Sequence, residues 1–314
     1  MNLQQLEYAL MLERLGSFTR ASKSLGMTQP ALSLQIKNLE NEIGISLFDR
    51  SRAKIEPTEQ GLKYLLKAGE IVSASKQLKE YAISLASDFK GVLKLGVIPT
   101  LSPFLVPLFI DDFTNAYPEI KIEVHEQLTE QILQQIRLGE LDGGIISTPI
   151  ARQGIEVTPL FYESFYLYKN DQLFDSKESF NISNIELENL WLLEEGNCFR
   201  DQVNDICSMR NIKSSTRMKY LCSSIDSLIR MVDHYGGSTI LPELTTLSLG
   251  SDQEKHLALL DNKIREIGFI SRKLGGKEHI FNALTETIQS NIPNRMRSKN
   301  DREVVDPGIT AEWT

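Results

Sequence analysis

Cysteine is scarce in this sequence, with three among 314 residues. So few cysteines do not form a disulfide framework, and the chain is expected to work in the reducing cytoplasm. There, a conditional disulfide is more often redox-sensing or catalytic than structural. No run of about 18 apolar residues occurs, so we predict no transmembrane helix and no membrane partner. The N-terminus mixes acidic and polar residues into its apolar pattern, unlike a secretory signal peptide.

Basic residues are also in the minority, because 34 Lys and Arg against 42 Asp and Glu give a formal net charge of −8. Residues 1–90 carry 12 basic and 10 acidic side chains, whereas residues 91–314 carry 22 and 32. The sequence therefore predicts an acidic module that follows a less acidic N-terminal region. This small local excess of positive charge does not establish nucleic-acid binding by itself.

The common signatures of cofactor chemistry are missing. We find no phosphate-binding loop, no glycine-rich dinucleotide fingerprint and no compelling metal-ligand cluster, so we predict no cofactor, no metal and no enzyme. The composition, 41% apolar and 24% charged, is that of a globular protein long enough for two or three domains.

The N-terminal region contains a helix-turn-helix pattern, SFTRASKSLGMTQPALSLQIKNLE. Ser17 can cap the first helix, and Gly26 can end it in a left-handed backbone conformation. Thr28 can cap the second helix, with Pro30 in the first turn, where a missing N–H has little effect. Helical spacing predicts a core-facing set in the second helix, namely Leu32, Ile36 and Leu39.

The remaining faces of this pattern supply candidate DNA contacts. The N-terminal end of the second helix can enter the major groove, where short polar side chains reach base edges. Cations at alternate positions after this helix can form a wing against phosphates or the minor groove. The predicted DNA-binding residues are Thr28, Gln29, Pro30, Ser33 and Lys37 in the helix, and Arg50, Arg52 and Lys54 in the wing.

A long amphipathic helix is predicted over residues 58–88, because this segment has no proline and few turn residues. Its apolar positions are Leu62, Leu65, Leu66, Val72, Leu78, Tyr81 and Leu85. A helix of about 30 residues spans roughly 45 Å. Pairing with a second copy of the chain would cover such a stripe, although packing on its own chain is the alternative.

The rest of the chain alternates between strand and helix patterns, which predicts an α/β effector domain over residues 91–292. The clearest strands are GVLKLGVI, IKIEVHE and GGIIST, and a second α/β unit is predicted between about 165 and 265. We expect a mainly parallel sheet with ligands at the carboxyl ends of its strands. The residues after Ile292, 293–314, are predicted to form a loose polar tail.

Residues 1–60 resemble the winged helix-turn-helix domain of the LysR-type transcriptional regulators in SFTRAS, TQPALS, IKNLE and GISLFDR. The resemblance implies binding to a double-stranded DNA operator and a dimerising linker helix. It also implies an effector domain of two subdomains, similar to periplasmic binding proteins. The expected assembly is a homodimer or, when dimers pair, a homotetramer. Leu34 stands where the family often has arginine. The base contact expected of that arginine is therefore not assigned to this chain.

The effector domain is similar to that of a hydrogen-peroxide-sensing branch of this family, in VIPTLSPFLVP, VHEQLTEQILQQIRLGELD, LLEEGNCFRDQVNDIC and GGSTILP. This resemblance implies that Cys198 is the peroxide-reactive thiol and Cys207 the resolving thiol. The implied peroxide pocket contains Thr100, Thr129 and Arg200, with Asn197 where the branch commonly has histidine. It further implies activation of antioxidant genes, contact with RNA polymerase and re-reduction by a thiol system.

Elementary chemistry agrees with these roles. If Cys198 opens a helix, the local amides and Arg200 favour the reactive thiolate, while Glu194 and Glu195 oppose it. Positions nine apart on a continuous helix are separated by roughly 13.5 Å. A disulfide tolerates Cα separations only up to about 7 Å. If residues 198–207 are helical when reduced, the disulfide requires this segment to refold.

Two other functions fit the sequence. One is a LysR-type regulator that binds a small metabolite between its subdomains, with incidental cysteines. The other is a thiol peroxidase, which the DNA-binding pattern disfavours.

The third cysteine, Cys222, lies in an apolar setting and is expected to serve packing alone.

Overall fold

The structure is a computed structural model that describes residues 1–50, 54–84, 90–174, 179–181, 184–185, 190–207, 220, 222, 224–273 and 276–309. The chain divides into two compact units. The first comprises Met1–Ala86 with Arg137–Glu140, and the second comprises Ser87–Ile136 with Leu141–Thr314. In the part of the chain described, no helix has the length and apolar character needed to span a membrane.

The first unit is helical with a small hairpin. Its elements are α1 (Leu3–Leu15), α2 (Phe18–Ser24), α3 (Gln29–Ile43), β1 (Phe48–Asp49), β2 (Glu56–Pro57) and α4 (Glu59–Ser84). Strands β1 and β2 pair antiparallel, which forms the base of the wing. The predicted core positions of α3, Leu32, Ile36 and Leu39, are all fully buried.

Local sequence signals set the ends of α2 and α3. The Ser17 side chain accepts a hydrogen bond from the backbone N–H of Arg20, and the Thr28 side chain accepts one from that of Ala31. Each bond satisfies an N–H that the helix itself leaves without a partner. Between the helices, Gly26 has a φ of +65°, a conformation that glycine adopts at little cost. The predicted caps and turn are confirmed.

The apolar residues of α4 lie on two different faces. Leu65 and Val72 are buried in the core of the helix-turn-helix, so part of the predicted stripe packs on its own chain. Leu62, Ile71 and Leu78 are exposed, with Leu78 at 70%. The exposed set is the part available to a second copy of the chain, and dimerisation through it stays a prediction.

The second unit is an α/β domain. Its strands are β3 (Gly91–Val97), β4 (Ile120–Glu126), β5 (Gly143–Thr148), β6 (Ile155–Tyr168), β7 (Ser179–Phe180), β8 (Leu190–Trp191), β9 (Ser238–Pro242), β10 (Leu257–Arg272) and β11 (Glu303–Val304). Its helices are α5 (Ser102–Ala116), α6 (Thr129–Leu138), α7 (Cys198–Ile206), α8 (Ile225–Tyr235), α9 (Glu243–Thr246), α10 (Ser251–Glu254) and α11 (Glu278–Asn291), with a 3-10 turn at Asn294–Met296.

The sheet of this unit is mixed, so the prediction of a mainly parallel sheet is wrong at its centre. Its order is β4-β3-β5-β10-β6-β9-β8, and β3 runs parallel to both β4 and β5. In the middle, β10 pairs antiparallel with β5 and β6. Strands β6 and β10 have 14 and 16 residues, so they pair along most of their length and extend through both halves of the domain.

Two apolar cores lie within this domain, and α7 begins where they meet. Cys198 belongs to the first core with residues of β3, α5 and α6. The next residue, Phe199, belongs to the second core together with Val203 and Ile206 of the same helix. The start of α7 is therefore held by both halves of the domain, which places Cys198 at their junction.

The segment after Ile292 is packed in its described part, so the prediction of a loose tail is wrong there. Met296 and Val305 are buried, and β11 pairs in parallel with β10 through Lys263 and Ile264. Polar composition suggested a solvated tail, but backbone pairing and a few apolar side chains are enough to hold residues 294–309 on the domain.

Candidate functional site

Cys198 is the first residue of α7 and is buried, with 6% of its surface exposed. The preceding residue, Asn197, caps the helix, because its side-chain oxygen accepts a hydrogen bond from the N–H of Phe199 at 3.1 Å. The helix continues to Ile206, with Cys207 at its C-cap. The predicted helix between the two cysteines is confirmed, and its N-terminal amides surround the Cys198 end.

A threonine hydroxyl contacts the Cys198 sulfur. Thr129 is the first residue of α6, just past the end of β4, and its Oγ1 lies 3.7 Å from Sγ of Cys198. Both residues are buried. A hydroxyl in this position can donate a hydrogen bond to a thiolate or to an oxygen atom attached to the sulfur.

An arginine that the sequence analysis missed contacts the second predicted threonine. Arg265 Nη2 donates to Thr100 Oγ1 at 2.8 Å, and its guanidinium lies 5.2 Å from the ring centre of Phe199. Arg265 and Thr100 are both fully buried. No specific signal marked it, because the strand sequence KIREIGFI of β10 carries three charged residues. Full burial of a charged side chain requires a partner.

That partner is Glu163 on β6. Its Oε1 lies 3.2 Å from Nη1 of Arg265, both side chains have no solvent exposure, and its Oε2 accepts a hydrogen bond from the Leu244 N–H. Burial raises the pKa of Glu163 to about 7, while the positive charge of Arg265 opposes this rise. A buried pair of this kind is stable only when both partners are present.

Arg200, the arginine predicted for the pocket, has different partners. Its Nη1 donates to the backbone carbonyl of Leu193 at 2.7 Å, and its Nη2 lies 3.8 Å from Glu195. These contacts hold the loop that precedes α7. The structure therefore brings Thr129 to Cys198 and Arg265 to Thr100, whereas the described contacts of Arg200 lie on the chain just before Cys198.

The other two cysteines lie in different surroundings. Cys207 packs against the second core, and burial raises the pKa of its thiol to about 11. Burial also raises the pKa of the Cys222 thiol, which donates to the carbonyl of Ser224 at 3.8 Å. All three cysteines are free. Because Cys198 and Cys207 lie at opposite ends of α7, roughly 13.5 Å of helix rise separates them.

The predicted DNA contacts of α3 are accessible. Thr28, Gln29, Pro30 and Lys37 are exposed, and Ser33 is partly exposed. Leu34 on the same helix is 57% exposed. The side chains of α3 that are predicted to contact DNA are therefore open to solvent.

In the wing, Arg50 pairs with Glu40 at 2.7 Å and lies over the Phe18 ring, and Lys54 lies 3.6 Å from Glu56. Arg52 lies outside the described residues. Glu40 also accepts hydrogen bonds from the N–H groups of Leu47 and Phe48. The described wing cations are thus positioned by neighbouring carboxylates.

No group of three or more His, Cys, Asp or Glu side chains with metal-binding geometry occurs among the described residues. His125 is exposed at the end of β4.

Comparison with known proteins agrees with both units. Residues 3–62 match the model of the bacterial regulatory helix-turn-helix protein, lysR family. Residues 86–291 match the model of the LysR substrate binding domain. Together the two models account for most of the chain, including α3 and the Cys198 site.

The hydrogen peroxide-inducible genes activator of Dickeya chrysanthemi is 34% identical over 245 residues, which cover 78% of this chain and 80% of the relative. The DNA-binding transcriptional dual regulator OxyR of Escherichia coli is 32% identical over 245 residues, with the same coverage. A solved full-length OxyR variant from Pseudomonas aeruginosa superimposes with a TM-score of 0.72 at 27% identity, covering 92% of this chain and 98% of that one. The chain therefore belongs to the family of LysR-type transcriptional regulators and is similar to its OxyR members.

Proposed function

We propose that this protein is a DNA-binding transcriptional regulator that senses hydrogen peroxide through a reversible disulfide between Cys198 and Cys207. The observation that carries the proposal is the buried Cys198 thiol at the N-terminus of α7, with the Thr129 hydroxyl 3.7 Å from its sulfur. A buried thiol beside a directed hydroxyl donor suits a small polar oxidant better than a large ligand. Several relatives are named hydrogen peroxide-inducible genes activators, which supports peroxide as the signal.

The chemistry follows the usual ladder of cysteine oxidation. The Cys198 thiolate attacks one peroxide oxygen, the O–O bond breaks, and the leaving hydroxide takes a proton to become water. The sulfenic acid formed on Cys198 is attacked by the Cys207 sulfur, and a second water leaves as the disulfide forms. Two thiols and one peroxide thus become one disulfide and two waters.

The pocket proposed for the oxidant contains Thr100, Thr129, Asn197 and Arg265. Thr129 faces the sulfur, and Arg265 is fixed on Thr100, where its positive charge can stabilise the charge that develops on the leaving oxygen. The Nδ2 of Asn197 is buried and has no hydrogen-bond partner among the described residues. It is a free donor beside Cys198, so a bound oxidant could satisfy it. Arg200 supports the site from the loop before α7.

Refolding of α7 is the proposed output. Because a disulfide does not span roughly 13.5 Å, the helix has to unwind before Cys207 reaches Cys198. The change is passed through a homodimer, or a homotetramer of paired dimers, to the two helix-turn-helix heads on the DNA operator. We propose that this cytoplasmic switch activates antioxidant genes through RNA polymerase and is reset by a thiol reductant.

Intact mass and free-thiol count after one equivalent of hydrogen peroxide test the proposal directly. We expect a loss of two hydrogens and of two free thiols within minutes, with peptide mapping that locates a bond between Cys198 and Cys207. Three unchanged thiols would contradict it and would favour a regulator that binds a metabolite. Steady turnover of peroxide with a thiol reductant would instead indicate a thiol peroxidase.

Replacing Thr129 with valine is expected to slow peroxide oxidation of Cys198 by about tenfold, because the hydroxyl that faces the sulfur is lost while side-chain volume is kept. The second-order rate constant, followed by stopped-flow loss of thiol, measures the effect. Thr129→Ser keeps the hydroxyl and is the matched control, for which we expect less than about a threefold change. Equal rate constants for the valine and serine variants would show that the Thr129 hydroxyl takes no part in the oxidation of Cys198.

A further inference from the structure

The C-terminal segment packs against the reactive helix. We define residues 303–309 as the C-terminal strap. It begins with β11, which pairs with β10, and continues through Val305 and Pro307, which are both buried. Val305 donates its N–H to the Ile264 carbonyl at 2.9 Å, and Ile309 packs against the core that contains Cys198. The strap is thus fixed on the domain along its length.

One side chain of α7 joins the helix to the strap. Gln202 lies between Cys198 and Cys207 and is fully buried. Its Nε2 donates to the backbone carbonyl of Val305 at 2.9 Å. Buried amides that satisfy backbone groups are costly to displace, because both partners would lose a hydrogen bond away from water.

The other end of the same amide leads to the pocket. Gln202 Oε1 accepts a hydrogen bond from Ser147 Oγ at 3.4 Å, and Ser147 Oγ accepts one from Arg265 Nε at 3.4 Å. Arg265 in turn donates to Thr100. A continuous chain of polar contacts therefore runs from the strap through the middle of α7 to the arginine of the proposed oxidant site.

We propose that Gln202 and the C-terminal strap are positioning elements that favour the dithiol form of the Cys198–Cys207 pair. The inference rests on the proposed function. Disulfide formation has to unwind the helix around Gln202, which lies between the two cysteines, so the bonds of its amide to Val305 and Ser147 are broken in the oxidised form. Those bonds exist only on the reduced side of the equilibrium, and they therefore oppose oxidation.

Redox titration of three chains tests this inference. The reduced and oxidised fractions are measured by thiol alkylation in buffers of defined glutathione ratio. For a chain ended after Arg302, we expect the equilibrium to shift about tenfold towards the disulfide, which lowers the midpoint potential by about 30 mV. A chain ended after Ile309 keeps the strap, removes only residues 310–314, and is expected to titrate like the full chain.

Substitution of Gln202 separates the helix contact from other effects of truncation. Gln202→Met keeps the approximate side-chain volume but loses both hydrogen bonds. Its midpoint potential is expected to be lower than that of the full chain, as for the chain ended after Arg302. Asp205→Asn changes an exposed residue of the same helix and serves as the matched control, with no shift expected. Circular dichroism before titration selects the variants that remain folded.

The outcomes are distinct. A disulfide that forms in every chain with one common potential would overturn the role of the strap while leaving peroxide sensing intact. Failure of the full chain to form a Cys198–Cys207 bond at any glutathione ratio would overturn the proposed function itself. A shift in the chain ended after Arg302 but not in Gln202→Met would exclude Gln202 as the link.

Discussion

Replacing Cys198 with serine is expected to abolish disulfide formation and the response to peroxide. A hydroxyl at this position is not deprotonated near neutral pH, so no comparable nucleophile remains at the N-terminus of α7. We expect oxidation of the chain to slow by about three orders of magnitude or more, as for loss of a nucleophile in other proteins. The measurement is free-thiol loss after peroxide, together with the change in the DNA footprint on a selected operator.

Two further serine variants make this result specific. Cys207→Ser keeps the reactive thiol but removes its partner, so a sulfenic acid trapped by a dimedone probe is expected instead of a disulfide. Cys222→Ser, the matched control, is expected to behave like the natural chain. Cys222 lies outside α7, and its thiol contacts a carbonyl rather than the pocket. A footprint that still changes with peroxide in Cys198→Ser would contradict the assignment.

Replacing Arg265 with methionine is expected to cost about 3–5 kcal/mol in the free energy of unfolding at pH 8, because Glu163 would remain buried without its counter-charge. Both side chains have no solvent exposure, so water does not replace the lost partner. Thr100 also loses its donor, so peroxide oxidation of any folded protein should slow as well. Urea unfolding followed by circular dichroism measures the first effect.

The loss of stability in Arg265→Met should depend on pH in a defined direction. Burial raises the pKa of Glu163 from 4.5 to about 7, so the folded state holds this proton more tightly than the unfolded state. The stability that protonated Glu163 contributes is fully present below about pH 4.5 and is lost as the pH rises through 7. Without Arg265 the carboxylate form of Glu163 is disfavoured further. The loss of unfolding free energy in Arg265→Met should therefore be largest at pH 8 and smallest near pH 5.5.

A double variant tests the cause. Glu163→Gln together with Arg265→Met leaves no buried charge in this pair and is expected to recover most of the lost stability at pH 8. Its penalty relative to the natural chain should also vary less with pH than that of Arg265→Met. An equal loss at pH 5.5 and pH 8 for Arg265→Met would show that packing, rather than the ion pair, accounts for the effect.

The helix-turn-helix and α7 were predictable because their signals are local. Ser17 and Thr28 cap the helices that follow them, and Asn197 does the same for α7, since a cap depends on residues within a few positions. The alternation of strand and helix patterns likewise predicted strands β3, β4 and β5 of the second unit. The central antiparallel pairing of β6 and β10 was missed because strand direction depends on connections across the whole domain.

Sequence spacing could also show that a continuous helix keeps Cys198 and Cys207 apart, since helix rise is a local property. It could not choose between Arg200 and Arg265 as the partner of Thr100. Arg200 is near Cys198 in sequence, yet it turns to Leu193, whereas Arg265 reaches Thr100 from β10. Contacts between distant strands, and between Val305 and Gln202, depend on packing that joins residues far apart in the chain. Local patterns therefore identify α7 and its ends, while the three-dimensional fold selects the groups that surround it.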